Sequence, residues 1–229
     1  MEKNILIDFH AHILPDMDHG CDGVAMSLEQ LNMAAEQQID VIIATSPFYP
    51  HIENVTDFLR RRKVAWDKLS AARVKEYHII KLGAEVLICN RIDKMEGIED
   101  LCIENSKVLL IEMPFKRHWD NNLIETAVRL REDKGLNVII AHGERYPRKE
   151  MDKLLEKEFQ IQLNVSSTAN FILSSFVKKC IKEHYVVAFG SDIHGLSNSY
   201  KDFTRSMKRL GDKAEEIMEK TRKLVSEKS

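Results

Sequence analysis

The chain has 229 residues, of which 44% are hydrophobic, and it carries a formal net charge of -2. This length and composition suffice for one domain with a buried core. The small net charge provides no overall attraction to nucleic acid or to an anionic membrane, so we expect neither as a partner.

The sequence carries no sign of export or membrane insertion. Its first four residues contain no apolar segment of the kind found in secretory signal peptides, and no apolar run reaches the roughly 18 residues of a membrane span. The four cysteines are scattered without a C-x-x-C pair, which is typical of free thiols in a reducing compartment. We therefore expect a cytoplasmic protein.

Seven short runs rich in Val, Ile and Leu alternate with longer helical patterns, and this alternation predicts βα units. Their nearly continuous apolar character favours parallel strands that are buried on both faces. We expect a single α/β domain over residues 1–229, because no linker rich in Pro, Gly or Ser interrupts the series. The runs cover residues 5–9, 41–45, 79–85, 108–112, 138–142, 161–165 and 186–190.

The segments between the runs predict helices. A capping box of Ser27 and Gln30 is expected at the start of the first helix. The basic run at residues 60–63 indicates a solvated helix face. The third unit is the weakest, with room only for a short helix at 91–97. The other predicted helices cover 26–38, 54–74, 148–158 and 169–182, with one more that ends at Gly135 and charged helical segments from Tyr200 onwards.

The first strand runs directly into a cluster of imidazole and carboxylate side chains. His10 and His12 are two residues apart, so in a continuing strand both rings point to the same side. Two imidazoles on one side can bind the same metal ion. Asp16, Asp18 and His19 follow within a few residues.

Side chains of the same kinds stand at the ends of most other predicted strands. In a parallel barrel these carboxyl ends converge on one mouth, where active sites are built. Four imidazoles and three carboxylates exceed the four positions of a single zinc ion, so we predict two or three divalent ions. Nitrogen and oxygen donors without thiolate fit manganese, iron or zinc. The predicted ligands are His10, His12, Glu85, Glu112, His142, Asp192 and His194.

Together these motifs resemble the polymerase and histidinol phosphatase (PHP) superfamily, and within it the bacterial protein-tyrosine phosphatases of capsule and exopolysaccharide operons. The resemblance implies a distorted seven-stranded (βα)7 barrel of the TIM type with a metal cluster, usually of manganese, at its mouth. It also implies a partner, the phosphotyrosine tail of a bacterial tyrosine kinase. The segments that carry it are Asp8-Phe-His-Ala-His12, Gly83-Ala-Glu85, Leu110-Ile-Glu112, Ala141-His-Gly-Glu-Arg-Tyr146 and Gly190-Ser-Asp-Ile-His194.

The resemblance also implies roles for individual residues. The seven predicted ligands would hold the metal ions, Arg145 would hold the phosphoryl oxygens, and Asp18 would act as a ligand or in proton transfer. His194 or Asp18 would serve as general acid for the tyrosine leaving group. One motif departs from the family, because Pro47 stands where a metal-binding histidine is usual. Either His51 takes part in its place, or one metal site is weakened or lost. We also expect His51 to bind substrate together with Arg145.

A thiolate phosphatase is excluded, because arginine does not follow any cysteine in the spacing C-x5-R. Three other functions remain open from the sequence. They are a histidinol-phosphate phosphatase, an amidohydrolase that also begins with H-x-H, and a metal-binding protein of weak activity that docks a kinase, which Pro47 favours. The residues six positions after the four cysteines are Ser27, Met95, Val108 and Val186.

Overall fold

The computed structural model describes residues 5–73, 78–170 and 172–226. The β-strands in these ranges are β1 (Ile7–Ala11), β2 (Val41–Ala44), β3 (Pro47–Phe48), β4 (Ile79–Leu82), β5 (Glu85–Leu87), β6 (Val108–Glu112), β7 (Asn137–Ile140), β8 (Gln160–Asn164) and β9 (Val186–Gly190). The α-helices are α1 (Gly23–Glu36), α2 (Val55–Ala72), α3 (Asn121–Glu132), α4 (Arg148–Glu156), α5 (Val165–Ala169), α6 (Ser175–Lys182), α7 (Ser199–Leu210) and α8 (Asp212–Ser226). Within the described ranges, no helix is both long and apolar enough to cross a bilayer.

All paired strands are parallel, and they form two sheets. The first sheet has the order β1-β2-β4, and the second has the order β3-β5-β6-β7-β8-β9. The predicted α/β architecture with parallel strands is therefore confirmed. The predicted closed barrel of seven strands is not, because the described strands form two open sheets.

Two interruptions along the chain explain why the strand count differs. The second predicted strand, 41–45, forms β2, and a further short strand, β3, follows it after Thr45 and Ser46. The third divides into β4 and β5 around Gly83 and Ala84. At each interruption the chain leaves the first sheet and enters the second. The sheets also meet at β1 and β9, where the Asp192 N–H donates to the His10 carbonyl over 2.8 Å.

The strands that lead to the polar strand ends form the core. All residues of β1, β2 and β9 are buried, as expected for strands covered on both faces. Phe9, Ile43 and Phe189 are fully buried there. Burial of each such side chain contributes about 1.5–3 kcal/mol, so the strand ends rest on a well-packed base.

The predicted capping box is wrong. Helix α1 begins at Gly23, so Ser27 and Gln30 lie inside it and both are buried. The Gln30 side-chain amide donates to the carbonyls of Gly20 and Gly195, over 2.9 and 3.0 Å. These polar side chains hold the loops around the strand ends instead of capping the helix.

Other helix boundaries follow the sequence more closely. Asn54 caps α2, since its side-chain oxygen accepts the Asp57 N–H, while Val74 at the predicted end lies outside the described residues. The helix predicted over 169–182 begins only at Ser175, and Phe171 within that range also lies outside the described residues. The weak third unit forms two short 3-10 turns, Ile92–Lys94 and Ile98–Leu101.

The basic run on α2 is a solvated, charge-paired face with one exception. Arg60, Arg61 and Lys63 form ion pairs with Asp57, Glu53 and Asp67, respectively. Arg62 is buried and donates to the Gly83 carbonyl over 2.8 Å. This bond supports the interruption between β4 and β5, two residues before Glu85.

Candidate active site

The polar strand ends converge at the junction of the two sheets. His10 and His12 stand at the end of β1, Glu85 begins β5 and Glu112 ends β6. His142 follows β7 and has a backbone φ of 32°, and Asp192 follows β9 with a φ of 48°. Such left-handed values are costly for residues other than glycine and are characteristic of functional sites. Six of the seven predicted metal ligands are thereby brought together.

The first triad comprises His10, His12 and Asp192, with one potential ligand atom from each residue within 4.8 Å of the others. His10 Nε2 lies 3.1 Å from His12 Nε2, and Asp192 Oδ1 lies 3.4 Å from His12 Nε2. Both imidazoles are buried. The three ligand atoms point into one small space.

The second triad comprises Glu85, Glu112 and His142. His142 Nε2 lies 2.9 Å from Glu85 Oε1 and 3.7 Å from Glu112 Oε1. The other oxygen of Glu85 lies 3.6 Å from both His10 Nε2 and His12 Nε2. Glu85 therefore faces both triads, which is the position of a carboxylate that bridges two metal ions.

Hydrogen bonds from side chains outside the triads orient the ligands of the first triad. Gln162 on β8 accepts at its side-chain oxygen from the His142 backbone N–H over 2.7 Å, and the same oxygen lies 3.2 Å from His10 Nδ1. Its amide donates to Asn164, and the Asn164 amide donates to Asp192 Oδ2 over 2.8 Å. Such outer partners fix the rings and carboxylates that bind metals.

A close backbone approach completes this arrangement. A Cβ atom added to Gly190 would lie 2.5 Å from His10 Cβ and 2.7 Å from Gln162 Nε2. Residue 190 must therefore be glycine for β9 to lie against the β1 ligands. The alternating polar positions 160, 162 and 164 in an otherwise apolar strand were a signal for Gln162, which the sequence analysis missed.

Charges within the second triad oppose one another. Burial alone would raise the pKa of Glu85, but the adjacent His10 and His12 imidazoles and the hydrogen bond to His142 outweigh it and hold that pKa well below its usual value. Burial and the negative charge of Glu85 raise the pKa of Glu112 to about 7. Two carboxylates so close cannot both ionise easily without a cation.

The first triad shows the complementary effect. Burial disfavours a charged His12, but hydrogen bonds to Asp18 and Asp192 and the charge of Glu85 raise its pKa to about 10. The imidazoles of His10, His12 and His142 lower the pKa of Asp192, against the effect of burial. The triads therefore carry surplus negative charge that a proton or a metal ion must balance.

The donor set fits divalent cations. Two imidazole nitrogens, from His10 and His12, face each other at 3.1 Å, and the carboxylates of Glu85 and Asp192 lie within 3.7 Å of both. Among the described residues, His142 Nδ1 is one of few buried side-chain atoms without a hydrogen-bond partner. Nitrogen and oxygen donors in two adjoining groups of three suit borderline divalent metals such as manganese, iron and zinc.

The other predicted site residues surround this centre. Arg145 Nη1 lies 3.1 Å from Asp192 Oδ2, and the guanidinium lies 4.9 Å from the centre of the Phe115 ring. His194 belongs to neither triad, and its ring centre lies 4.2 Å from that of His12. Asp18 Oδ2 lies 3.2 Å from His12 Nδ1, so in this structure it orients that imidazole.

The segment that departs from the family motif contains Pro47 and His51, and the structure shows where both residues lie. Pro47 is paired with Glu85 in the register of β3 and β5, so its ring forms part of the wall beside the triads. His51 is exposed, does not line the cavity and is absent from both triads. The structure therefore does not bring His51 to the metal ligands.

An open cavity of about 450 Å³ lies above the two triads, and we call it the cup. Its floor consists of ligand side chains and its rim of aromatic and basic ones. The volume of the cup is large enough for a phosphorylated aromatic side chain. The residues that line it are His12, His19, Pro47, Tyr49, Glu85, Glu112, Phe115, His142, Arg145, Asp192 and His194.

Residues 6–227 match the protein family described as capsular polysaccharide synthesis, CpsB/CapC. This match covers nearly the whole chain. The chain belongs to the CpsB/CapC family. The predicted resemblance to phosphatases of capsule operons is thereby confirmed.

Individual CpsB/CapC proteins extend this finding. The chain is 30% identical to the tyrosine-protein phosphatase YwqE of Bacillus subtilis, over 83% of this chain and 78% of YwqE. It is 27% identical to the tyrosine-protein phosphatase CpsB of Streptococcus pneumoniae, over 84% of each chain. It also shares the fold, with a TM-score of 0.77 and 22% identity, of a crystal structure from a study of YwqE and CpsB as metal-dependent tyrosine phosphatases. That similarity covers 98% of this chain and 96% of the other.

Proposed function

We propose that this CpsB/CapC protein is a metal-dependent protein-tyrosine phosphatase that acts in capsule or exopolysaccharide synthesis. The observation that carries the proposal is the pair of adjoining triads at the base of the cup, with Glu85 of the second triad facing the first. Two adjoining cation sites suit the hydrolysis of a phosphomonoester, and the relatives named as tyrosine phosphatases support the substrate class.

The triads would hold two divalent ions, with manganese the first candidate and iron or zinc the others. His10, His12 and Asp192 would hold one ion, Glu112 and His142 the other, and Glu85 both. When bound, such ions activate water and neutralise the negative charge of the phosphoryl group. A third ion has fewer ligands available, because Pro47 supplies none and His51 lies outside the cup.

Residues of the rim would bind the phosphoryl group and manage its protons. Arg145 presents a planar fork of donors that matches phosphate oxygens, and its contact with Phe115 holds it at the rim. The leaving phenolate has a conjugate pKa of about 10, so a weak acid is sufficient to protonate it. We assign this role to His194, whose Nδ1 is held by the Asp192 carbonyl at 2.9 Å. Asp18 would act through His12.

The physiological substrate in this proposal is the phosphotyrosine tail of a bacterial tyrosine kinase that regulates polysaccharide synthesis, in the cytoplasm. The single PHP domain over residues 1–229 and its distorted seven-stranded barrel also stay predictions. In support of the barrel, β2 with β3 and β4 with β5 are each one interrupted strand, and an isolated bridge joins Ala11 to Ile193.

Substrate comparison tests the proposal. With manganese bound, we expect kcat/KM for a phosphotyrosine peptide to exceed that for histidinol phosphate by about 100-fold, the scale of discrimination that a shaped pocket provides. Phosphoserine in the same peptide serves as the control for ester chemistry. Preference for histidinol phosphate would instead support the small-molecule phosphatase.

Pro47 favours a second candidate, a metal-binding protein of weak activity that docks a kinase. Metal content per chain and phosphatase activity should therefore be measured for the wild type and for Pro47→His. If the wild type binds two ions and turns over phosphotyrosine, the docking protein is rejected. A gain of one ion and of activity in Pro47→His would show that the proline cripples the centre.

A further inference from the structure

A second cavity adjoins the cup, and of the residues that line it without lining the cup the proposed chemistry uses only Asp18. This groove has a volume of about 500 Å³ and shares His19, Pro47 and Tyr49 with the cup. Its remaining walls come from the loop after β1, the loop after β3 and helix α2. The residues that belong to the groove alone are Met17, Asp18, Ile52, Glu53 and Arg61.

The walls of the groove are mainly apolar. Met17, Pro47 and Tyr49 present apolar surface, and Ile52 leaves 68% of its side chain exposed. An isoleucine so exposed at the edge of a concave surface contributes little to folding, and its burial by a ligand would be favourable. The composition of these walls therefore suits an apolar group.

The charged residues of the groove are already compensated. Arg61 binds Glu53 through two hydrogen bonds, of 2.6 and 3.0 Å, and its remaining nitrogen lies 3.3 Å from the Met17 carbonyl. Asp18 is bound to His12 and to the Gly20 N–H. The Arg61 and Glu53 charges neutralise each other, and Arg61 ties together the loop after β1 and the loop after β3. The groove is thus preformed.

We infer that the groove is a subsite for an apolar side chain that flanks the phosphotyrosine in the substrate peptide. This inference rests on the proposed function. A phosphotyrosine in the cup has its backbone at the rim, and the shared walls His19, Pro47 and Tyr49 bring the adjoining peptide residues to the groove. Pro47 then has a role at this wall, since its ring provides apolar surface where an imidazole would be polar.

Kinetics with a set of phosphotyrosine peptides test the inference. Leucine is placed at one position at a time, from three residues before to three residues after the phosphotyrosine, and is compared with aspartate and serine. We expect kcat/KM to be about tenfold higher for leucine at one or two adjoining positions, mainly through a lower KM, because burial of a leucine side chain is favourable.

Two variants locate the effect. In Ile52→Ser the leucine preference should fall to about threefold or less, while Ile52→Leu should retain it. Ile79→Ser is the matched control, since Ile79 is similarly exposed, at 63%, but begins β4 at the opposite end of the strands. No leucine preference in the wild type, or an equal preference in Ile52→Ser, overturns the inference.

A binding experiment separates this inference from the proposed function. The same peptides are made with a non-hydrolysable phosphonate in place of the phosphate, and their affinity for the manganese-loaded protein is measured by fluorescence anisotropy. A leucine preference in binding that Ile52→Ser removes supports the groove even if no peptide is hydrolysed. Equal affinities of the leucine, aspartate and serine peptides overturn it even if all are hydrolysed.

Discussion

The two triads of the cup differ in how the protein supports them. In the first triad, Gln162 contacts His10, Asp18 contacts His12, and Asn164 contacts Asp192. In the second, His142 Nδ1 is buried without a partner in the described part of the chain, and Glu112 has a pKa raised to about 7. The first triad therefore has the more complete set of side-chain partners, whereas the second combines an unpartnered imidazole nitrogen with a carboxylate whose ionisation burial and Glu85 oppose.

Removal of all metal from both triads should abolish the phosphatase activity. We expect excess EDTA to eliminate hydrolysis of a phosphotyrosine peptide, and manganese to restore it, because no protein nucleophile replaces the ions. Alkylation of thiols should have no effect on activity, since none of the four cysteines, all within the described residues, lines the cup. Rapid turnover in EDTA would refute a metal-dependent mechanism.

Substitution of Glu85 and of Glu112, one at a time, should have different effects on the metal content, because only Glu85 faces both triads. Glu85→Gln removes a ligand from both triads, so we expect both ions to be lost and kcat to fall by at least about 1,000-fold. Glu112→Gln weakens only the second triad, so about one ion per chain should remain. Elemental analysis of the dialysed proteins measures this. Equal metal content in the two variants would show that Glu85 does not bridge.

Loss of an outer partner should test whether the support of the first triad matters. Gln162→Leu removes the acceptor at His10 and the link to Asn164, and we expect metal affinity to fall by about 10–100-fold. Gln160→Leu is the matched control, because Gln160 lies on the same strand and belongs to neither triad. Affinity is measured by competition with a chelator. An unchanged affinity in Gln162→Leu would mean that the triad needs no such support.

Glu150 lies outside the cup and provides a reference for the carboxylates of the triads, because side chains and backbone of the protein balance its charge without a metal ion. Glu150 contacts His118, Lys153 and the Trp119 N–H, which outweigh burial and lower its pKa from 4.5 to about 2. Its contribution to stability is therefore complete above about pH 4.5 and is lost as the pH falls towards 2. Glu150→Gln should destabilise the fold by about 1–3 kcal/mol at pH 7.

Urea unfolding at several pH values measures this smallest effect. The difference between Glu150→Gln and the wild type should shrink as the pH falls from 5 towards 3. Glu156→Gln is the control, since Glu156 is exposed on the same helix. A difference that is constant over this pH range would show that packing, rather than charge, explains the loss.

The strand ends were the part of the site that sequence could predict. Parallel strands must deliver their carboxyl ends to one edge, so a search for ligands at those positions found all six members of the triads. His194 was predicted as a ligand with them; its ring lies beside His12 and lines the cup, outside both triads, and its role as a ligand stays a prediction. Spacing in the sequence does not give the direction in which a loop turns.

Contacts between distant segments could not be predicted in the same way. Gln30 and Gln162 have ordinary polar side chains, and their partners lie on loops and strands far away in sequence. The interruptions at Thr45 and Gly83, which divide the strands between two sheets, depend on packing that no local pattern reports. Local rules thus predicted most of the elements and the strand-end positions of the triad residues, and missed the bonds that position them.

The contact at Gly190 has a consequence for natural variation. Any side chain at this position would collide with His10 Cβ and Gln162, although residue 190 itself holds no metal and touches no substrate. A missense allele such as Gly190→Ala would therefore push β1 and β9 apart. It would inactivate the enzyme even though the codons of all metal-ligand residues are unchanged. Strains with altered capsule that carry an intact set of ligand codons should be sequenced at this glycine.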